Sequence, residues 1–283
     1  MFKKVYVFFT LLSMVLFLTA CATAPVTGRR QLILIDPQTE MKLGLQAYRE
    51  ILQKAKLCKD PKINALVERV GWRLARAAHR PEFKWEFKVI DDPKTINAFC
   101  LPGGKVFVYT GIFKIARTEA ELATVLGHEI GHALAHHGAE RMSLVLLAGL
   151  GEEVLAHTLH WKNPRTRELF LMAYGLGATV GVILPYSRKQ ELEADEIGVY
   201  LMAKACYDPQ VALEFWRKMI KLAQKRPHIP VFLATHPPDE VRLKHLEKIM
   251  PKMLKIYQDH CPVHHQGLNQ ASSSVFYASS PGS

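Results

Sequence analysis

Several features are missing from this 283-residue sequence, and each absence narrows it. No Cys-x-x-Cys pair occurs, which argues against a cysteine metal site. There is no internal repeat and no nucleic-acid motif, and Lys and Arg are scattered rather than clustered. The net charge of +11 therefore reads as a solvated basic surface with a weak bias towards anionic membranes, and nucleic acid is not an expected partner. Two apolar runs stand out: Val5 to about Leu18, and about 16 residues within 169–185 that include three glycines. Both fall short of the roughly 20 residues of a spanning helix, and the second reads as a buried helix. What remains is ordinary for a globular protein: 49% apolar and 22% charged residues, enough for one large domain with extensions.

The start of the chain, "MFKKVYVFFTLLSMVLFLTAC", has a short basic stretch, an apolar run and small residues before Cys21. That is the shape of a secretory signal peptide over residues 1–20. Its removal leaves 35 basic against 26 acidic residues, a net charge of +9. "LTAC", Leu18 to Cys21, resembles a bacterial lipobox, which implies cleavage before Cys21 and lipid on its sulfur and new amino group. Each buried methylene would contribute about 0.8 kcal/mol to such an anchor. Ala22, and not Asp, follows the cysteine, which by resemblance to lipoprotein sorting in enteric bacteria implies an outer membrane where there is one. The expected location is thus a bacterial cell envelope, as a lipoprotein facing the periplasm. Cys58, Cys100, Cys206 and Cys261 remain, which allows two disulfides in three connectivities.

Residues 21–35 read as an extended tether and entry segment. Asp36-Pro37, Asp60-Pro61 and Asp208-Pro209 each open a helix, with Asp as N-cap and Pro in the first turn. "KWEFKVI" alternates as a strand does, and "INAFCL" and "KVFVYT" flank "PGG", a hairpin signal. Thr118 and Glu121 make a capping box for a helix that runs through the next histidines to an end near Gly138. Residues 143–157 form a further apolar stretch. From 262 to 283 the chain is rich in Ser, Gly and His without periodicity and reads as a disordered tail.

"GHEIGHALAHH", residues 127–137, carries the chemistry. His128 and His132 are one helical turn apart on one face, so both imidazoles can reach a single zinc ion. Glu129, beside them, can take a proton from a water activated by that ion. A catalytic zinc needs a third protein ligand. A histidine six residues after His132 is absent, because that position is Gly138. His136 and His137 read instead as polar residues that favour the helix C-terminus. The other source is a Glu on a second helix with an Asp one turn on, and after His132 only Glu191 with Asp195 fits. Glu191 is the expected ligand and Asp195 its supporting carboxylate. Glu193 and Glu196 fall on other faces and read as solvated or structural.

"HEIGH" followed by "ELEAD" resembles the HtpX-like and CAAX-prenyl-protease-like zinc metalloendopeptidases, which are gluzincins. "PVTGRRQLILI", "INAFCLPGGKVFVYTGI", "YDPQVALEFWRKM" and "THPPDEVRL" resemble further segments, the first of them the entry segment of exported lipoprotein members. The resemblance implies an α+β, mainly helical zincin-like peptidase domain over 36–261, with a small antiparallel sheet before the active-site helix. It implies one zinc ion per chain and protein or peptide substrates, misfolded or stalled envelope proteins among them. It implies substrate binding by strand addition along Asn97, Ala98 and Phe99, and a supporting role for Arg242 at the oxyanion or the cleft. His236 would either fill the zinc's open position and keep the enzyme inactive or donate to the oxyanion. Two family features are missing: a repeat-containing C-terminal domain, and membrane-spanning helices beyond the signal. A competing expectation is an envelope chaperone or assembly factor, working with the assembly machinery, whose zinc is latent or structural.

Overall fold

The computed structural model describes residues 21–148, 159, 161–174, 176, 187–225 and 230–261. The expected signal peptide, the tail from 262, and the later parts of the apolar stretches 143–157 and 169–185 lie outside the described residues. Among the described residues no helix is long and apolar enough to cross a membrane.

The architecture is mostly helical, with two small sheets. Strands β1 (Cys21–Thr23) and β2 (Arg30–Leu32) pair antiparallel in the entry segment. Helices α1 (Pro37–Lys54) and α2 (Pro61–Ala78) follow. Asp36 accepts from Thr39 N at 2.9 Å and Asp60 from Lys62 N at 2.8 Å, so both Asp-Pro starts cap as the residue types dictate. A three-stranded sheet comes next: β3 (Glu86–Ile90), β4 (Ala98–Leu101) and β5 (Lys105–Tyr109), in the order β3-β5-β4. β4 and β5 form the expected antiparallel hairpin, with Gly103 and Gly104 at positive φ in its turn. β3 joins the far side of β5 in parallel, because the chain crosses to the opposite edge before the hairpin begins.

Helix α3 (Glu119–Leu134) is apolar on nearly every side and runs through the centre of the larger core cluster, as a helix hydrophobic all round must. Thr118 caps it through Glu121 N at 3.1 Å, but the Glu121 carboxylate returns to Arg117 N at 2.6 Å. The reciprocal capping box forms elsewhere, at Ser187 and Gln190. Helices α4 (His137–Ala148) and α5 (Pro164–Ala173) pack with α1, β4 and β5 around a second cluster. Helices α6 (Arg188–Lys204), α7 (Gln210–Lys225), α8 (Val231–Thr235) and α9 (Glu240–His260) complete the domain. One disulfide, Cys206–Cys261, ties the end of α6 to the end of α9; Cys58 and Cys100 are free.

The helix that carries the histidines ends at Leu134 and not near Gly138. His136 takes a left-handed backbone, φ 51°, and a new helix starts at His137. Gly138 has a different use: a Cβ there would lie 2.1 Å from the Tyr174 ring, so it is a contact glycine and not a terminator.

Candidate metal centre

Main-chain proximity builds the site. α3 and α6 cross where side chains are smallest. A Cβ on Gly127 would meet the Gly198 carbonyl at 3.0 Å, and one on Gly131 the Ala194 carbonyl at 2.8 Å. Larger residues would push the helices apart. This approach carries Glu191, at the start of α6, up to the histidine face of α3.

The candidate ligand atoms converge. His128 Nε2 and His132 Nε2 lie 3.1 Å apart. The Glu191 carboxylate reaches both, at 3.4 Å and 3.3 Å. His236, at the end of α8, joins them: its Nδ1 is 3.1 Å from His128 Nε2 and 3.0 Å from Glu191 Oε1. Ligand atoms of His128, His132, Glu191 and His236 all fall within 4.8 Å of one another, and all four residues are buried. Two nitrogens bound to one tetrahedral zinc at 2.0–2.1 Å sit about 3.3 Å apart, so the spacing fits that ion. The donor set of imidazoles and a carboxylate fits it as well. A further sign is Glu129 Oε1, which is buried without a hydrogen bond and lies 3.4 Å from His236 Nε2.

Behind these four residues stands a charged support. Asp195 Oδ1 accepts from His128 Nδ1 at 2.9 Å, which fixes the ring's tautomer and leaves Nε2 free to ligate. Arg242 clamps the same carboxylate from Nε and NH2 at 2.7 Å and 2.8 Å. It also approaches Glu191 at 2.8 Å, donates to the main-chain carbonyls of His236 and Pro237, and stacks 3.8 Å from the Trp216 ring centre. Burial opposes charge at every one of these groups, and at Glu191 and His128 the surroundings overcome it. Glu191 is held well below the carboxylate range by His236, Arg242 and His128. His128 is pushed up to about 9 because Glu191 and Asp195 outweigh its desolvation. Burial drives His132 down and Glu129 up. The pocket favours a cation at its centre and a basic carboxylate beside it.

Other expected residues fall in different places. His136 turns away and bonds Glu40 at 2.7 Å. His137 is completely buried against His132 and Glu193, so it is no solvated helix-end residue; the chain reversal at His136 puts it there. Glu193 is likewise buried, held by Arg29. Spacing on one assumed helix hid this pair, and the basic entry motif "GRR" opposite a buried acid was the available clue. Arg242, only 1% exposed, stands behind the ligands rather than along an open cleft. Asn97, Ala98 and Phe99 lie at the outer strand of the sheet and are also buried; Phe232 N at the start of α8 donates to Ile96 O at 3.1 Å beside them. Cys21 opens β1.

A family model described as peptidase family M48 matches residues 61–250. The chain is 33% identical over 241 residues to the mitochondrial metalloendopeptidase OMA1 of Schizosaccharomyces pombe, covering 84% of this chain and 69% of that protein. It is 33% identical over 268 residues to the mitochondrial metalloendopeptidase OMA1 of Homo sapiens, covering 90% of this chain and 51% of that one. The beta-barrel assembly-enhancing protease of Escherichia coli is 30% identical over 211 residues, 72% of this chain and 42% of its own length. The chain thus spans about half the length of the human relative and less of the bacterial one. The expected placement as a periplasm-facing lipoprotein of a bacterial envelope is overturned here, because the relatives at 31–37% identity, from yeasts, animals and a plant, are mitochondrial. A basic start and an apolar run report that a chain is targeted, not which membrane it meets.

Proposed function

The chain belongs to peptidase family M48 and is a zinc metalloendopeptidase; we propose that His128, His132 and Glu191 hold the ion and that Glu129 is the catalytic base. The observation that carries this reading is the facing pair of Nε2 atoms at 3.1 Å, closed by Glu191 and flanked by the unbonded Glu129 Oε1. A zinc ion held by His128, His132 and Glu191 would supply Lewis acidity to the scissile carbonyl and would acidify the attacking water. Glu129 Oε1 takes the proton from that water and passes it to the leaving amine. Burial, which raises the Glu129 carboxyl, suits it to both transfers. Asp195 and Arg242 keep His128 in its ligating tautomer.

His236 acts as a shutter in this proposal. Its ring lies among the ligand atoms, and α8 is bonded to the start of the outer strand, where a substrate strand would add along Asn97 to Phe99. Opening moves α8 and exposes metal and strand together. The same ring swung aside remains placed to donate to the oxyanion. The substrates fitting a shuttered site with strand-addition recognition are extended segments of unfolded or stalled proteins. Cys21 remains the candidate for lipid attachment, which would hold the domain beside a membrane. Placement within the HtpX-like and CAAX-prenyl-protease-like branch belongs to the same proposal. A chaperone with a structural zinc has no use for a buried Glu129 whose Oε1 makes no hydrogen bond, which favours catalysis.

The test compares the full chain with Glu129→Gln on unfolded casein, with zinc content measured in both. We expect equal zinc and a loss of about 10²- to 10⁴-fold in hydrolysis. Equal proteolysis refutes the base. His236→Ala should raise activity if the ring is a shutter; an inactive variant assigns it to the transition state instead.

A further inference from the structure

His132 has a support of its own, and it begins in the entry segment. We propose that Arg29, Glu193 and His137 form a positioning relay that orients the metal ligand His132, so that the entry segment is part of the metal centre. The proposal rests on the ligand assignment above.

The contacts run without a gap. Arg29 Nε donates to Glu193 Oε2 at 2.7 Å. The same oxygen accepts from His137 Nε2 at 2.9 Å. His137 Nδ1 then faces His132 Nδ1 at 2.8 Å. One proton arrangement satisfies all three when His132 ligates through Nε2. His132 Nδ1–H donates to the lone pair of His137 Nδ1, and His137 Nε2–H donates to Glu193. His137, Glu193 and His132 are all buried, so a broken link would leave polar atoms without water. Thr27 Oγ1 also bonds Glu193. The Arg29 guanidinium forks onto Glu140 from NH1 and NH2 at 2.7 Å and 2.8 Å, which fixes its plane. Glu140 is held in turn by Gln190 at 2.7 Å, and Gln31 donates to Ala135 O at 2.5 Å. The entry strand therefore grips the turn between α3 and α4, the turn that swings His137 under His132.

The test measures zinc affinity of the full chain by chelator competition, together with the visible spectrum of the cobalt-substituted protein. His137→Leu should weaken zinc about 10- to 100-fold, the range for supports of metal-bound histidines. Glu193→Gln should weaken it less, and Arg29→Ala less again, with partial recovery in Arg29→Lys. Each should shift the cobalt bands. Ser143→Ala, which removes the bond to Leu34 N of the same segment at 2.9 Å, should change neither. Arg29, with a side chain 26% exposed, keeps the test informative if His137→Leu does not fold. Folded relay variants with the affinity and spectrum of the unmodified chain overturn the relay, as does an equal loss in Ser143→Ala. An unmodified chain that binds no zinc, or a His128→Ala variant that keeps it, overturns the ligand assignment instead.

Discussion

The two histidines of α3 are backed by arms of different build. His128 leans directly on Asp195, and Asp195 on Arg242, all three buried and all three on helices. His132 leans on His137, then Glu193, then Arg29, which sits beside β2 and is partly exposed. Each arm ends in carboxylate and guanidinium. The first has no spacer and no exit to solvent; the second adds an imidazole and ends at the surface. The same chemical need, an oriented ring, is met once by the core and once by a strand clasped onto it.

The comparison can be broken by removing the two arginines. Arg242→Met leaves Asp195 and Glu191 buried without their cation, and should cost about 3–5 kcal/mol in urea unfolding. Next in size, Cys206→Ser should cost about 2–4 kcal/mol under oxidising conditions and nothing under reducing ones, because the disulfide staples α9, the helix of Arg242, to α6. Arg29→Met removes a cation that is itself partly exposed but leaves the buried Glu193 and Glu140 without it, and should cost about 1–3 kcal/mol; a loss equal to that of Arg242→Met would erase the distinction. The smallest effect lies outside both arms. Glu50 is held at about 2, chiefly by its bond to Arg167, with Lys54 adding to it. Its folded value is below its free one, so its stabilisation is present above about pH 4.3 and lost as pH falls towards 2. Arg167→Ala should therefore cost under about 1 kcal/mol at pH 7 and nothing near pH 2, read from urea midpoints.

The inner part of the His128 arm follows helical spacing: i and i+4 place the two imidazoles, and Glu191 with Asp195 repeats that turn on a second helix; Arg242, expected at the oxyanion or the cleft, was not legible as the clamp on Asp195. The capped Asp-Pro starts and the hairpin at Pro102 to Gly104 were legible for equally local reasons. The His132 arm was not. It depends on a left-handed backbone at His136, a residue type that gives no warning of it, while the glycine that looked like a helix end, Gly138, serves a ring contact. The parallel pairing of β3 was hidden as well, since alternation identifies a strand and not its neighbour.

The glycine contacts between α3 and α6 have a thermodynamic consequence. Among the proposed ligands, one spacing is set by the pitch of a single helix, and the other by two backbones in van der Waals contact. Neither depends on the ion. The cage is preorganised, so metal uptake carries little of the chain-ordering cost that zinc-dependent folding units bear. Chelation should strip activity from this protein while its melting curve stays cooperative.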